Sequence, residues 1–381
     1  MDFSWNEDQN RLHELLARTA REELNVGLTE RDRAGEFNRQ GWQRCAELGV
    51  QGLPIPERYG GRGADALTMA RALEGLGHGC RDNGLLMGLH AHLWSAAMPI
   101  LVFGTEAQKQ QYLPRLCNGE WIAGNAMTEP ESGSDAYSLS TTAERKGDRY
   151  VLNGRKLYIT NGPVADVLIV FANVDPSKGA HGITAFLVRP GTPGYVMSPP
   201  VEKAGLRTVM MGRLTLEGCE VPAEGRLGKE GAGLAVFTHA MEWERAFILA
   251  TAVGGMGRLL EACVRYAKKR KQFGKPIGKF QLVSSKIVDM KMRLETSRGL
   301  LYRVAWLKSR DRLTMPEAAM AKLHISECWV QCCLDAMQIH GGLGYMVEAE
   351  FERELRDALG SRIYSGTSEI QRQIIAQFMG L

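Results

Sequence analysis

The spacing of apolar residues divides the chain into a helical, a β and a second helical stretch. Up to about residue 120, apolar residues recur three and four positions apart, as Leu12 and Leu15 do, which predicts amphipathic helices. From residue 121 to 230, short runs of β-branched and aromatic residues follow, separated by turn residues at 146–148 (Lys-Gly-Asp) and 153–154 (Asn-Gly). This pattern predicts an antiparallel β domain with hairpin turns at both places.

Long helical patterns return beyond Gly231. The apolar periodicity predicts helices over Leu234–Lys269, Phe280–Ser309, Pro316–His340 and Ser368–Phe378, and long helices joined by short breaks suggest a four-helix bundle. We therefore expect an α+β fold with three domains in series. These are an N-terminal helical domain (residues 1–120), a middle antiparallel β domain (121–230) and a C-terminal four-helix bundle (231–381).

Composition and charge narrow the possible functions. The 381 residues are 44% hydrophobic and 24% charged, as in soluble proteins of several domains. A net charge of +4 from 47 basic and 43 acidic side chains does not indicate nucleic-acid binding. The first ten residues lack the pattern of a secretory signal, and His90, His92 and Pro99 interrupt the most apolar stretch. We expect a cytoplasmic protein without a transmembrane segment and without a nucleic-acid or membrane partner.

Several common sites have no sequence signal. The eight cysteines lack the paired spacing of zinc sites, so we expect reduced thiols and no metal. No GxGxxG follows a predicted strand and opens a helix, and neither GxxxxGK[ST] nor GxSxG occurs. These absences disfavour a nicotinamide-binding Rossmann domain, nucleotide hydrolysis and a serine hydrolase.

Two loops next to predicted strands combine hydroxyl groups, small residues and exposed amides. They are Met127–Asp135 (MTEPESGSD), where the helical pattern gives way to the β pattern, and Tyr158–Gly162 (YITNG), at a strand end. Such residues suit hydrogen bonding along the edge of a planar polar ring. Taken alone, each is more typical of a plain loop.

These loops are part of four motifs whose order and spacing resemble those of the acyl-CoA dehydrogenase family. The motifs are MTEPESGSD, LNGRKLYITNG, RKQFGKPIGKFQ, and QIHGGLGY followed by RDALGSRIYSGTSEIQR. One match would be weak, but four in order along essentially the whole chain are highly specific. The resemblance implies the helical, β, helical fold, one FAD per subunit, a homotetramer, and an electron-transfer flavoprotein as electron acceptor.

The resemblance also implies which residues contact FAD. The segment bordering the isoalloxazine ring would be Met127, Thr128, Gly133 and Ser134, and the second flavin-facing strand Tyr158, Ile159 and Thr160. Many relatives carry tryptophan at the position of Tyr158, where tyrosine still offers a flat aromatic face. The position of Asn125 is often aromatic in relatives, so the resemblance implies an altered pocket near the flavin there. Arg270, with Gln272 and Phe273, would reach the FAD pyrophosphate of a neighbouring subunit. The adenosine contacts would be Gln338, Gly341 and Gly342, and the last flavin contacts Thr367 and Glu369.

The position of the catalytic base departs from the commonest family pattern. Many relatives have a glutamate where this chain has Ser365, and a serine hydroxyl is too weak a base to take an α-proton. A subset similar to the isovaleryl and long-chain enzymes supplies the glutamate from the first helix of the C-terminal domain, before an arginine, as in Glu244-Arg245. Glu242 would point about 200° away on that helix. We predict Glu244 as the base, and substrate contacts at Ser134, Arg245, Tyr364, Ser365 and Gly366.

The resemblance therefore implies FAD-dependent α,β-dehydrogenation of an acyl thioester. Glu244 would take the α-proton and flavin N5 the β-hydride, converting acyl-CoA to trans-2-enoyl-CoA, as in fatty acid metabolism. The same chemistry on an acyl or peptidyl carrier protein is an alternative, because both carriers present the thioester on a pantetheine arm. An oxidase that passes electrons to oxygen, and a flavin-binding interaction protein without dehydrogenase activity, also remain open.

Overall fold

The computed structural model describes residues 4–381, so the first three residues of the predicted N-terminal domain lie outside it. The N-terminal part of the described chain has seven α-helices. They are α1 Glu7–Thr19, α2 Leu28–Ala34, α3 Arg39–Glu47, α4 Ala66–Gly79, α5 Asn83–His92, α6 Met98–Phe103 and α7 Glu106–Cys117. Helix α1 starts at a capping box, in which Asn6 and Gln9 each accept the other's backbone N–H. A π-helical turn, Leu93–Ala97, joins α5 to α6 and makes them one buried helix.

The middle part is one twisted sheet. Its strands are β1 Ala123–Ala126, β2 Thr142–Lys146, β3 Arg149–Thr160, β4 Val167–Asn173, β5 Ile183–Val188, β6 Tyr195–Met197, β7 Met211–Pro222 and β8 Arg226–Leu227. The strand order is β6-β7-β3-β2-β4-β5-β8, with β1 beside β4. The pairs are antiparallel except β1–β4 and a single-residue contact between β2 and β4, which are parallel. One face packs within the β domain and the other joins the helical core.

One of the two predicted hairpin turns is present. Gly147 and Asp148 form the turn between β2 and β3. The turn predicted at Asn153-Gly154 is wrong, because both residues lie inside β3, where the register with β7 shifts. A Cβ on Gly154 would lie 2.3 Å from the Thr141 hydroxyl. Glycine is therefore needed for close approach of the neighbouring segment rather than for a turn.

The C-terminal part is helical again. Its elements are α8 Gly233–Phe247, α9 Ala250–Lys269, the short strands β9 Lys271–Gln272 and β10 Lys275–Pro276, α10 Gln281–Lys308, α11 Met315–His340, α12 Phe351–Gly360 and α13 Ser368–Phe378. The predicted helix over Leu234–Lys269 is two helices, because the chain turns at Ile248 and Leu249. Both residues are buried, so apolar periodicity continues across the break. Helix α12 was not predicted.

The helical, β, helical order and the α+β class are confirmed. Buried polar contacts hold the three parts together. Arg258 on α9 donates to the Gly77 carbonyl of α4 at 2.7 Å, and Asp357 on α12 accepts from Asn83 at 3.1 Å and from the backbone N–H of Leu206. The segment around Leu206 is thus a joint between the β domain and both helical domains.

Two helical stretches, Asn83–Phe103 and Gly233–Lys269, are long and apolar enough to cross a membrane by length and composition. Of their most apolar windows, 89% and 72% are buried inside the protein, and core helices of soluble proteins meet the same criterion, so this evidence for a span is weak. Residues 4–381 contain no group of three His, Cys, Asp or Glu side chains that could hold a metal ion. The eight cysteines are free and buried.

Candidate active site

Glu244 lies on the buried face of α8, and both of its carboxylate oxygens are hydrogen-bonded. The hydroxyl of Ser365 donates to one oxygen, and the hydroxyl of Ser95 donates to the other. Burial raises the pKa of Glu244, although the two hydroxyls act in the opposite direction. A carboxylate whose pKa is raised toward the working pH is better suited to general-base catalysis than an exposed one.

Ser95 reaches Glu244 from the π-helical turn between α5 and α6. The residue is only 5% exposed, and the turn packs against α8. A π-helical turn inserts one residue into the helix and is frequent at functional sites. Ser95 was not predicted from the sequence, where its hydroxyl within the apolar run of residues 93–100 is the only signal.

The loop after α12 is held beside Glu244 in an uncommon conformation. Ser365 has φ 57° and Gly366 has φ 89°, in a region that non-glycine residues seldom adopt. The Ser365 carbonyl accepts from Arg245 at 3.1 Å and from Gln371 at 3.0 Å, and the Gly366 carbonyl accepts from Lys322 at 2.7 Å. The Ser365 backbone N–H donates to no acceptor within the described chain. The loop is thus fixed while one of its amide donors stays available.

Of the predicted substrate residues, the structure brings Arg245, Tyr364, Ser365 and Gly366 together around Glu244. Tyr364 is partly buried, and burial and the nearby Glu244 raise the pKa of its phenol. Ser134 lies in the exposed part of the MTEPESGSD loop. Among the residues that the structure describes, no hydrogen bond joins Ser134 to this cluster. The contact of Ser134 with the thioester therefore stays a prediction.

Glu242 belongs to a different network. Its carboxylate accepts from Lys308 at 3.0 Å and from the backbone N–H and the hydroxyl of Thr314, each at 2.8 Å. Burial opposes ionisation of Glu242, but Lys308 and Thr314 lower its pKa below the ordinary value. Glu242 is therefore a structural ion-pair partner, in agreement with its predicted position on another side of the helix.

A buried ion pair ties the MTEPESGSD loop to β3. Lys156 pairs with Glu129 at 2.7 Å, and the two side chains are 0% and 1% exposed. The Lys156 ammonium also donates to the Met127 carbonyl at 3.2 Å, and the Leu157 N–H donates to the Thr128 carbonyl at 2.8 Å. This pair was not predicted from the sequence, although the pair holds the two predicted flavin-facing segments against each other.

The surface beside this ion pair fits a flavin ring. Tyr158 has φ 55° and is 61% exposed, and it lies at the second register shift of β3. Its flat ring is thus turned outward from the sheet beside the backbone of Thr128. Thr160 is partly buried, and Gly133 is open, since a Cβ there would meet nothing within 4 Å. Ile159 departs from the prediction because its side chain is buried in the β core, so only its backbone can face the flavin.

The predicted nucleotide contacts form a separate, exposed group at the ends of α9 and α11. Its members are Arg270, Gln272, Phe273, Gln338, Gly341 and Gly342. Phe273 is 93% exposed with φ 49°, and a cavity of about 630 Å³ lined by Tyr266, Lys269 and His340 lies next to the group. In the described residues no hydrogen bond joins this group of predicted nucleotide contacts to Glu244. This separation suits contact with the FAD of a neighbouring subunit, which stays a prediction.

Thr367 and Glu369, the last predicted flavin contacts, follow the loop that carries Ser365. Thr367 is the N-cap of α13, and its hydroxyl accepts the Ile370 N–H at 3.3 Å. Glu369 is exposed in the first turn of that helix. The cap fixes where α13 begins. Hydrogen bonds from the Glu369 backbone N–H and from the Thr367 hydroxyl lower the pKa of the Glu369 carboxyl.

Comparison with known proteins gives matches along nearly the whole chain. Residues 6–120, 124–219 and 231–380 match the family models described as the N-terminal, middle and C-terminal domains of acyl-CoA dehydrogenase. The chain is 40% identical over 382 residues to an L-prolyl-[peptidyl-carrier protein] dehydrogenase of Pseudomonas fluorescens, with 100% of both chains covered.

Two solved structures are also similar over their full lengths. The prolyl acyl carrier protein oxidase AnaB is 55% identical with a TM-score of 0.98, covering 99% of this chain and 100% of AnaB. PigA with FAD and proline is 40% identical with a TM-score of 0.98, covering 100% of both chains.

Proposed function

We propose that this chain, which belongs to the acyl-CoA dehydrogenase family and takes FAD as its cofactor, dehydrogenates a prolyl group held as a thioester on a carrier protein. Relatives that are 40% and 55% identical over the full length are named for prolyl groups on carrier proteins, which supports this substrate. The sequence-based expectation of an acyl-CoA substrate is not confirmed.

The contact between Glu244 and Ser365 is the observation that supports the chemistry. The loop offers a hydroxyl where many family members offer a carboxylate, and α8 brings a buried carboxylate to that same hydroxyl. The site therefore keeps one carboxylate base. A flavin-binding protein without dehydrogenase activity would not need such a buried group, whose burial is unfavourable for its charged form, and we disfavour that alternative.

The residues of the cluster suggest the order of events. Glu244 takes the proton from Cα of the prolyl group. The electron pair of the broken Cα–H bond forms the double bond between Cα and Cβ as a hydride leaves Cβ. When bound, FAD supplies the acceptor for that hydride at flavin N5. The Ser365 N–H is available to donate to the thioester oxygen, where negative charge develops as the proton leaves. Arg245, Gln371 and Lys322 hold the loop so that this donor is already oriented.

The test is an anaerobic titration of the FAD-loaded protein, followed by flavin absorbance. The probes are prolyl thioester on a carrier protein, prolyl-CoA, and straight-chain acyl-CoAs. We expect bleaching by the carrier-bound prolyl thioester at the lowest concentration. Bleaching by acyl-CoAs alone would overturn the proposal in favour of the acyl-CoA reaction, and bleaching by none would contradict dehydrogenation of thioesters altogether.

The electron acceptor is tested in the same sample. We propose an electron-transfer flavoprotein as the acceptor, with oxygen as the alternative because AnaB is named an oxidase. After bleaching, one half of the sample receives oxygenated buffer and the other an oxidised electron-transfer flavoprotein without oxygen. If only one of these two oxidants reoxidises the flavin within the time of one catalytic turnover, that oxidant is the acceptor.

A further inference from the structure

Asn125 carries a side-chain amide without a partner in the protein. The residue lies in β1, and its Nδ2 is buried with no hydrogen-bond partner anywhere in residues 4–381. Buried polar atoms are almost always paired, because an unpaired amide loses its hydration without compensation. The residue as a whole is only partly buried, so another part of Asn125 borders accessible space.

The strand turns this carboxamide toward the side on which Glu244 lies. Side chains alternate between the faces of a strand. Ala123 and Met127 pack into the core formed by the helical domains, whereas Ala126 packs into the β core. Asn125 shares the face of Ala123 and Met127, and β1 packs on that face against the π-helical turn. That turn carries Ser95, which donates to Glu244.

We propose that the Asn125 carboxamide binds the ring nitrogen of the prolyl substrate, an inference that rests on the proposed function. A neutral secondary amine has one N–H and one lone pair, and a carboxamide offers both an acceptor and donors. The two groups can therefore bond in either orientation of the amide. A hydrocarbon acyl chain has no group of this kind, and it would leave the amide desolvated and unpaired.

The same amide could instead donate to a carbonyl oxygen at the edge of the flavin. These two partners, the substrate nitrogen and the flavin carbonyl, predict different effects of removing the amide. An amide that serves the substrate affects only substrates that carry the ring nitrogen, whereas an amide that serves the flavin affects FAD retention and every substrate equally. Two substrates that differ only in that nitrogen therefore decide between them.

The experiment compares Asn125→Leu, which keeps the size and branching of the side chain, with the wild type. The control is Asn153→Leu, which removes an exposed amide of β3 that accepts the Gly218 N–H. The substrates are prolyl-pantetheine and cyclopentanecarbonyl-pantetheine, whose rings differ by the nitrogen alone. We expect Asn125→Leu to lower kcat/KM for the prolyl thioester by about tenfold to a hundredfold, while the cyclopentane substrate is unaffected or improves and FAD content is unchanged.

An unchanged ratio of the two kcat/KM values in Asn125→Leu would overturn the inference, and so would an equal loss for both substrates together with loss of FAD. If Asn125→Leu does not fold, Asn125→Ala is measured against the same criteria, since alanine occupies the neighbouring positions 123 and 126 of β1. Failure of the proposed function is recognised separately, because the wild type would then oxidise neither prolyl-pantetheine nor the prolyl thioester on a carrier protein.

Discussion

The carboxylate of Glu244 accepts a hydrogen bond from the hydroxyl of Ser365, which lies 121 positions further along the chain. One residue belongs to a helix of the C-terminal domain and the other to a loop before its last helix. Because they touch, a carboxylate supplied from either position would act at the same place in the cleft. If Glu244 is the base, as proposed, this contact explains how the loop can carry a serine while the site keeps a carboxylate.

Replacement of Glu244 by glutamine is expected to lower kcat by roughly 10²-fold to 10⁴-fold, because glutamine keeps the shape of the side chain but cannot take a proton. The measurement is flavin reduction by the prolyl thioester in a stopped-flow instrument, with FAD content determined in parallel. Glu242→Gln is the matched control, since it neutralises a second buried carboxylate of α8 that pairs with Lys308. Equal loss of rate in both variants would contradict the assignment of Glu244 as the base.

Removal of the Ser95 hydroxyl is expected to shift the pH dependence of the reaction. As the proposed base, Glu244 would act only when ionised, so activity should rise as pH increases through its pKa, which burial raises. The Ser95 hydroxyl stabilises the carboxylate, and Ser95→Ala should raise that pKa further and move the acidic limb of kcat/KM to higher pH. At pH values on the acidic limb, kcat/KM of Ser95→Ala should be roughly tenfold lower than that of the wild type. At higher pH, where Glu244 is ionised in both proteins, kcat/KM should change little.

The control for Ser95 is Ser326→Ala, which removes a buried hydroxyl that donates to the Leu323 carbonyl at 3.0 Å. Its pH profile should match that of the wild type. A uniform loss of rate at all pH values in Ser95→Ala would mean that the hydroxyl supports the fold of the turn and does not act on the base.

Breaking the ion pair between Lys156 and Glu129 is expected to destabilise the protein. Lys156→Met leaves a buried carboxylate without its counter-charge, which typically costs about 3–5 kcal/mol, and the free energy of unfolding in urea at neutral pH measures it. Lys178→Met, which breaks an exposed pair with Asp175, should cost less than about 1 kcal/mol. A similar small loss in both variants would show that the buried pair is dispensable.

The same pair predicts acid sensitivity. Burial alone would raise the pKa of Glu129, but Lys156, Ser140 and Thr141 lower it from 4.5 to about 2. A carboxyl whose pKa is lower in the folded than in the unfolded protein stabilises the fold fully above its unfolded pKa, and this contribution is lost as pH falls toward the folded value. Wild-type stability should therefore decline between about pH 4.5 and pH 2, more steeply than that of a Glu129→Gln, Lys156→Met double variant.

Tyr158 is expected to contribute to retention of FAD through its exposed ring. Tyr158→Ala should weaken FAD binding by about twofold to tenfold, which corresponds to one lost aromatic stacking contact, whereas Tyr158→Trp should retain the cofactor. Equilibrium dialysis of the yellow protein measures the difference. Val196→Ala, which truncates an exposed side chain of β6, is the control, and equal retention by Tyr158→Ala and this control would remove Tyr158 from the flavin site.

The pattern of apolar residues predicts the order of the domains and most helices, because burial of one face imposes a period on the sequence. The bounds of α13 agree with the prediction to the residue. The break at Ile248 and Leu249 escapes the same reasoning, because both sides of it are buried. Helix α12 also escapes it, since its buried residues include the charged Arg353, Glu354 and Asp357. The partners of Glu354 and Asp357, which are Arg258 and Asn83, lie far away in the sequence.

The candidate site is less accessible to local sequence reasoning. Helix geometry separates Glu244 from Glu242, but the contact of Glu244 with Ser365 depends on the packing of α8 against a distant loop, which resemblance to a family suggested and periodicity could not. Ser95 and the Lys156–Glu129 pair had no signal beyond residue type. The Lys156–Glu129 pair forms when the loop packs on β3, and the contact of Ser95 with Glu244 forms only when the two helical domains have packed.

The π-helical turn at Leu93–Ala97 also constrains the length of its segment. The turn takes up one residue more than a regular α-helix of the same rotation, so deletion of one residue from it would restore regular winding and leave α6 in phase with α5. The wider turn that brings Ser95 to Glu244 would be lost, while the apolar side of α6 would keep its neighbours. Substitutions in this turn therefore test single contacts, whereas a one-residue deletion would remove the turn itself and leave both flanking helices in place.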